Sequence, residues 1–563
     1  MRVQVTPDRD RVGDEVGGEG RSGHARGFAA LPRQSPPRVV ISQAAILVGL
    51  LVVAVPLVAL ARRVNISYPI VLVLGGLVLG FVPGLPAIQL DPDVVLLIFL
   101  PPLLYWESIT APTDIMLENA GQIGVLAFGL VIVTTVAVAV VAHAIVPALP
   151  WGAAFVLGAI ASPTDELAAV PVLEHFRLPR HVIAIIEGES LLNDATALVI
   201  YAMAITVVTT GVFSATTTVW MFVVTVVGSI AIGYLAGRLA VELWRRVQYP
   251  QLQGVISVTL PFIAYLPATY LGLSGVLAVV TAGVYANRFT PRVLTPEART
   301  QLRGFWETLV FIANAGLFLV VGLQLHSVAE AAFARETWQW VIGYAIVVNA
   351  VIIVVRLVLV VLAEYAPTAA PADHAAPDWK HALVVGWSGL RGAVSLAAAL
   401  AIPLALPNGT PFPHRDLIIF VTFTVILVTL VGGGLSLPSL VRSLRIVGGS
   451  EERDEVRLAT VRTAEAALTR LQELQDAGRI ESGHADILRR QYEHKRDLGA
   501  SEDTDTTDRH RAKHADIERE ILDAQRQALI ALREHGEIDN VVLRRMQTDL
   551  DMAASRPALQ TPE

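Results

Sequence analysis

The chain has 563 residues, 53% of them hydrophobic and 17% charged, with a net charge of −7 and a mean hydropathy of +0.56. That balance excludes an ordinary soluble globular protein and points to many membrane-spanning segments, with the lipid bilayer as partner and no nucleic acid. The absence of cysteine excludes disulfides, thiolate metal sites and thiol catalysis.

Residues 1–38 are polar, rich in Arg, Gly and Pro, and without apolar periodicity, so they read as a disordered extension. From 39 to 441 about thirteen windows are long and apolar enough to span a bilayer. Their approximate limits are 39–61, 67–82, 92–106, 120–146, 152–171, 182–208, 219–244, 252–271, 273–287, 305–324, 338–363, 380–405 and 416–441. The fold class expected is an all-α polytopic membrane protein. Loop cations set its orientation. Arg62, Arg63, Arg177, Arg180, Arg245, Arg246, Arg288, Arg292, Arg299, Arg303, Arg442 and Arg445 fall on one side, and the opposite loops hold only Arg335 and Arg415. The first side is therefore cytoplasmic, with the N-terminus outside and the C-terminus inside. The Arg residues of the N-terminal extension, interleaved with acids, stand outside this pattern. Residues 446–563 mix apolar residues at helical spacing with dense charge of both signs, and read as a cytoplasmic helical domain with a linker at Ser501–Asp508. Two roles suit it: a solvated tail that aids assembly, or a regulatory domain.

Three stretches place polar groups inside apolar spans. Ser162-Pro163-Thr164-Asp165-Glu166 interrupts the fifth, where Pro163 removes a backbone donor and frees carbonyls. Glu187–Tyr201 opens the sixth. Read as a helix, Glu187, Ser190 and Asp194 share one face, and Glu189 and Asn193 the opposite one. Gly386–Ser395, with three glycines around Arg391, weakens the twelfth. Intramembrane charges cost about 2.5–3.5 kcal/mol on insertion scales, so they face a cavity, an ion or a partner. Asp194 and Asp165 read as carboxylates for an ion and a proton. The Ser190 hydroxyl and carbonyls around Thr164 are further oxygen ligands for a hard monovalent cation. Burial favours a neutral carboxyl and a bound cation favours a charged one, so one site holds either a cation or a proton. Glu189 is expected to pair with Arg391. Glu107, Glu166 and Glu187 are candidates for an inner funnel, although Glu107 also suits the interface end of its span. Arg356 and Glu242 are expected to snorkel to the cytoplasmic surface. With the seventh span as linker, the interrupted spans fall fifth in each of two six-helix halves, the pattern of inverted-repeat secondary transporters.

Gly188–Asp194 (GESLLND), Ser162–Asp165 (SPTD), Phe99–Glu107 (FLPPLLYWE) and Gly389–Ala397 (GLRGAVSLA) together resemble the first subfamily of monovalent cation:proton antiporters, which includes bacterial sodium/proton antiporters and animal sodium/proton exchangers. The resemblance covers about 39–441. It implies thirteen helices in inverted repeats, two unwound helices crossing near the site, a homodimer, and exchange of Na⁺ or Li⁺ for H⁺ in the plasma membrane, serving pH and sodium homeostasis. By position it implies that Asp194 is the essential ligand, with Asp165, Ser190 and the Thr164 carbonyl beside it. Asn193 orients the site, and Glu189 with Arg391 is a structural ion pair. No cofactor and no enzymatic activity are implied. Two positions depart from the family pattern: Glu166 stands where Pro is common, and Trp106 precedes Glu107 where many members place the Glu. A K⁺/H⁺ antiporter, a passive cation channel and a membrane-embedded hydrolase are the competing readings. Asn193 before Asp194 leaves one titrating carboxylate in the pair, which suggests electroneutral one-for-one exchange.

Overall fold

Apolar runs about twenty residues long, closed by Pro, Gly and short polar turns, set the element boundaries of this chain. The computed structural model describes residues 38–64, 66–82, 95–166, 169–176, 178–211, 215–334, 337–365, 378–446, 451–500, 504–535, 537, 542–543, 545–547 and 550. The extension expected at 1–38 lies outside the described residues except for Arg38, as do Arg177, Arg335 and the start of the expected linker, 501–503. The chain divides into two units, 1–49 and 50–563, and of the first only the helical stretch 38–49 is described.

The described residues form α1 (Arg38–Arg63), α2 (Tyr68–Gly80), α3 (Leu100–Thr110), α4 (Thr113–Glu118), α5 (Ala120–Gly124), α6 (Val131–Ile145), α7 (Trp151–Ala161), α8 (Val170–His175), α9 (Arg180–Thr210), α10 (Ala215–Arg246), α11 (Pro250–Tyr270), α12 (Gly275–Val293), α13 (Pro296–Phe333), α14 (Trp338–Glu364), α15 (Trp379–Trp387), α16 (Ala393–Leu400), α17 (Arg415–Leu427) and α18 (Gly434–Leu444). Wider π-helical turns precede α3 and join α5 to α6 and α17 to α18. Three polar helices follow, α19 (Glu451–Asp476), α20 (Ser482–Ala500) and α21 (Thr504–Glu534). Among the described residues, seven helical segments are long and apolar enough to cross a membrane.

Local chemistry explains several boundaries. The Ser274 hydroxyl accepts the Leu277 amide at 3.2 Å and opens α12; Thr295 does the same for Ala298 at 3.3 Å, with Pro296 as first residue of α13. Gly211, left-handed at φ 68°, ends α9. The loop between α11 and α12 is a tight turn at Leu271–Ser274, with Gly272 at φ 71°. Helix α13 runs well beyond the expected 305–324, because the polar residues flanking its apolar run are capped into the same helix. The linker expected at Ser501–Asp508 is corrected: from Thr504 onward these residues are helical and begin α21.

The membrane helices gather in two groups. In one, α6, α9, α14 and α17 surround α7 or its neighbours, and α16 packs on α17. In the other, α3, α10 and α11 all pack on α12. Helices α2 and α13 lie backbone against backbone. A Cβ at Gly322 would overlap the Val73 carbonyl oxygen, and one at Gly76 that of Leu319, the close approach that small residues permit in membranes. The tail touches this body where Glu455 of α19 meets Arg180 at the start of α9, 2.5 Å away.

Replacing Gly322 by Leu is expected to force α2 and α13 apart, an overpacking cost on the order of 1–3 kcal/mol. Thermal denaturation of the purified protein should show a clear drop in melting temperature. An unchanged transition would mean that the two backbones are not in contact.

Candidate cation-binding site

The two expected interruptions are present. Helix α7 stops at Ala161 and α8 starts at Val170; α15 stops at Trp387 and α16 starts at Ala393. Between them the two non-helical strands meet as an antiparallel bridge, in which the Asp165 amide donates to the Leu390 carbonyl at 2.7 Å. Each break thus satisfies part of the backbone that the other frees, as an interior without water demands. Gly392 belongs to this junction, since a Cβ there would overlap the Asp165 carboxylate. The Arg391 amide donates to the Thr429 hydroxyl at 3.1 Å, on the wide turn between α17 and α18.

Helix α9 runs against the junction and supplies two faces. On one, the Ser190 hydroxyl donates to the Thr164 carbonyl at 2.8 Å. That hydroxyl keeps its lone pairs, and the carbonyl keeps its second one, so both remain able to face a cation. Asp194 lies one turn further on and is 5% exposed. The charges of Glu107 and Asp165 act on it. Glu166 feels Glu107, Glu187, Asp165 and Asp194, and its Oε2 is buried without a hydrogen-bond partner. The site and the three funnel candidates therefore form one acidic cluster. Among the described residues no three His, Cys, Asp or Glu side chains are arranged as a metal site. The oxygen set here is two carboxylates with a hydroxyl and a carbonyl, ligand types that suit a hard cation.

The opposite face of α9 is a hydrogen-bonded chain. The Asn193 amide donates to the Thr164 hydroxyl at 2.7 Å, and that hydroxyl donates to Glu189 at 3.2 Å. Here one expectation is corrected. Glu189 pairs with Arg356 of α14, not with Arg391, through two bonds of 2.5 and 3.1 Å. Arg356 does not snorkel. It is 2% exposed, and its remaining donors reach the Gly386 and Val385 carbonyls at 2.9 and 3.0 Å, the open C-terminal end of α15. Gly389 makes room for it, since a Cβ there would overlap the guanidinium. Arg391 is equally buried, but its side chain turns to the Gly389 and Ala161 carbonyls. The physical reason is geometric. Arg356 reaches across from a neighbouring continuous helix, while Arg391 sits in the unwound strand and donates to one carbonyl of that strand and one at the end of α7. Sequence reasoning placed Arg356 at the surface, although a charge about two turns inside an apolar span was a usable signal of a buried partner. It also missed Thr429, for which one hydroxyl in an apolar helix carried no signal.

Fold and site together define a polytopic helical membrane protein with carboxylates gathered where two of its helices come apart. The chain belongs to the sodium/hydrogen exchanger family: the family described as "Sodium/hydrogen exchanger, transmembrane" matches residues 48–443. An uncharacterized Na⁺/H⁺ exchanger of Mycobacterium tuberculosis is 36% identical over 523 residues, covering 90% of this chain and 95% of the relative. A sodium, potassium, lithium and rubidium/H⁺ antiporter of Bacillus pumilus is 33% identical over 378 residues, covering 65% of this chain and 56% of the relative. The sodium proton antiporter MjNhaP1 of Methanocaldococcus jannaschii shares the fold, with a TM-score of 0.58 at 20% identity, over 73% of this chain and all of that one.

Removing either Glu189 or Arg356 by substitution with Ala is expected to destabilise the protein by roughly 3–5 kcal/mol, because the partner charge stays buried. The double substitution should cost much less than the sum. Thermal-shift measurements on the four proteins test this. Additive losses, or stronger coupling of Glu189 to Arg391, would contradict the pairing.

Proposed function

We propose that this protein exchanges Na⁺ or Li⁺ for H⁺ across the plasma membrane, one for one and without net charge movement, in the service of pH and sodium homeostasis. The observation that carries this reading is the convergence of Asp165, the Thr164 carbonyl, Ser190 and Asp194 where two unwound strands cross. Asp194 and Asp165 take the cation or the proton; Ser190 and the Thr164 carbonyl add neutral ligands. Asn193 holds Thr164 in place, and Glu189 with Arg356 holds the scaffold. Glu107, Glu166 and Glu187 line the approach. Binding one species excludes the other, because a cation stabilises the charged carboxylate and burial stabilises the protonated one. Alternate exposure of a site with that property couples the two fluxes. The architecture that suits this cycle has thirteen spans in two inverted six-helix repeats, assembled as a homodimer with the N-terminus outside and the tail in the cytoplasm.

K⁺/H⁺ exchange at the same site is the second reading. The name of the Bacillus pumilus relative includes potassium, and carboxylates alone do not discriminate Na⁺ from K⁺. A passive channel is disfavoured, since a pore has no need of competing protonation.

Asp194→Asn is expected to abolish cation-driven proton flux in proteoliposomes while the protein stays folded. Pulses of Na⁺, Li⁺ and K⁺ in the same assay rank the cations. Substantial exchange by the folded variant would refute the role of Asp194.

Stoichiometry is tested separately. Asn193 cannot ionise, so its pair with Asp194 offers one titrating carboxyl, and one cation displaces one proton. In proteoliposomes clamped at a series of K⁺/valinomycin potentials, the reversal point of the Na⁺ and H⁺ gradients is expected to stay fixed. A reversal point that moves with voltage would implicate Asp165 or Glu166 as a second proton carrier.

A further inference from the structure

Away from the acidic cluster the molecule contains a cavity of about 810 Å³ between α9 on one side and α10, α11 and α12 on the other. That is within the range of small-molecule sites, roughly 300–1,000 Å³. Its floor is apolar, built from Leu100, Leu198, Val199 and Ala398. Hydroxyls of Thr206, Thr210, Thr269 and Ser274 stand toward the end where α9 stops and the α11–α12 turn lies, and Tyr201, Thr225 and Tyr265 also belong to the wall. Three of these hydroxyls are engaged with the backbone. Thr206 donates to the Ala202 carbonyl at 2.9 Å, Thr210 to that of Thr206 at 2.8 Å, and Ser274 accepts the Leu277 amide at 3.2 Å.

Along α9 the lining runs from Leu198 to Thr210, about 18 Å at 1.5 Å per residue. One leaflet of the hydrocarbon core is about 15 Å deep. On the α10 side the wall includes Trp220, Met221 and Val224, which are exposed and continue into the apolar face of α10 at Val223 and Val227. A membrane protein presents such a face to hydrocarbon. The cavity therefore joins the lipid-facing surface, is one leaflet deep, apolar at the bottom and hydroxyl-bearing toward the interface.

We propose that this cavity is a lipid site, occupied by one acyl chain of a membrane phospholipid whose headgroup end lies near Thr206 and Thr210. The chain fills the gap between α9, which carries Ser190 and Asp194, and the α10–α12 group. This inference rests on placement in a bilayer and not on ion exchange, so it stands or falls apart from the proposed transport activity.

The test is photolabelling of the full chain in phosphatidylcholine vesicles doped with a phospholipid bearing a diazirine at the end of one acyl chain. Peptide mapping is expected to find label at Leu198, Val199 or Met203 in addition to the lipid-facing surface of α10. Label confined to that surface would overturn the proposal. Ala202→Trp fills the cavity and should remove the inner label while keeping the surface label; retained inner label would also overturn it. Should that variant fail to fold, Val224→Trp at the wall gives the same readout. The chain has no native cysteine, so Val199→Cys adds a single reporter. It is expected to resist a water-soluble thiol reagent in vesicles, and rapid modification would mean that the cavity holds water.

Discussion

The bidentate contact between Glu189 and Arg356 is the constraint on which the rest of the site depends. A buried ion pair is not in itself a strong source of stability, because desolvating two charges offsets much of their attraction. Its value here is positional. Arg356 spends its other donors on the last carbonyls of α15, and Glu189 accepts from Thr164 in the first break. Four pieces of chain are thereby held in register: α9, α14, the strand after α7 and the end of α15. Loss of either charge leaves the other unpaired and also releases an open helix end and an unwound strand.

With that scaffold in place, the opposite face of α9 is left for chemistry. Ser190 and the Thr164 carbonyl touch, Asp165 is fixed by its backbone to Leu390, and Asp194 stands beside them. Five carboxylates share this region, a costly arrangement at membrane depth unless cations or protons neutralise part of it. The division of α9 into a neutralised face and an acidic face follows from helical period alone: residues four apart, Glu189 and Asn193, go one way, and Glu187, Ser190 and Asp194 the other.

Much of this was legible beforehand. Apolar length located the seven long apolar helices among the described residues, and Pro163 and the glycines around Arg391 marked both breaks. The two faces of α9 could be drawn from spacing. What failed was partner choice. Arg391 and Arg356 are both single cations in apolar surroundings, and only the three-dimensional crossing shows that one turns to the Gly389 and Ala161 carbonyls while the other reaches Glu189. The reach of α13 was underestimated because hydropathy stops at the membrane boundary whereas helical hydrogen bonding does not. Thr504–Asp508 looked like a linker because its composition is polar, yet polar residues continue a helix readily when it is solvated. The cavity beside α9 could not be foreseen, since it is a property of helix separation and not of any motif.

The central claim is that a cation and a proton compete for one carboxylate site. Calorimetric titration of the purified protein with Na⁺, repeated in buffers of different ionisation enthalpy near neutral pH, measures that competition directly. The expected result is release of about one proton per Na⁺ bound, with affinity weakening as the pH falls. Binding of Na⁺ with no proton release and no pH dependence would contradict it.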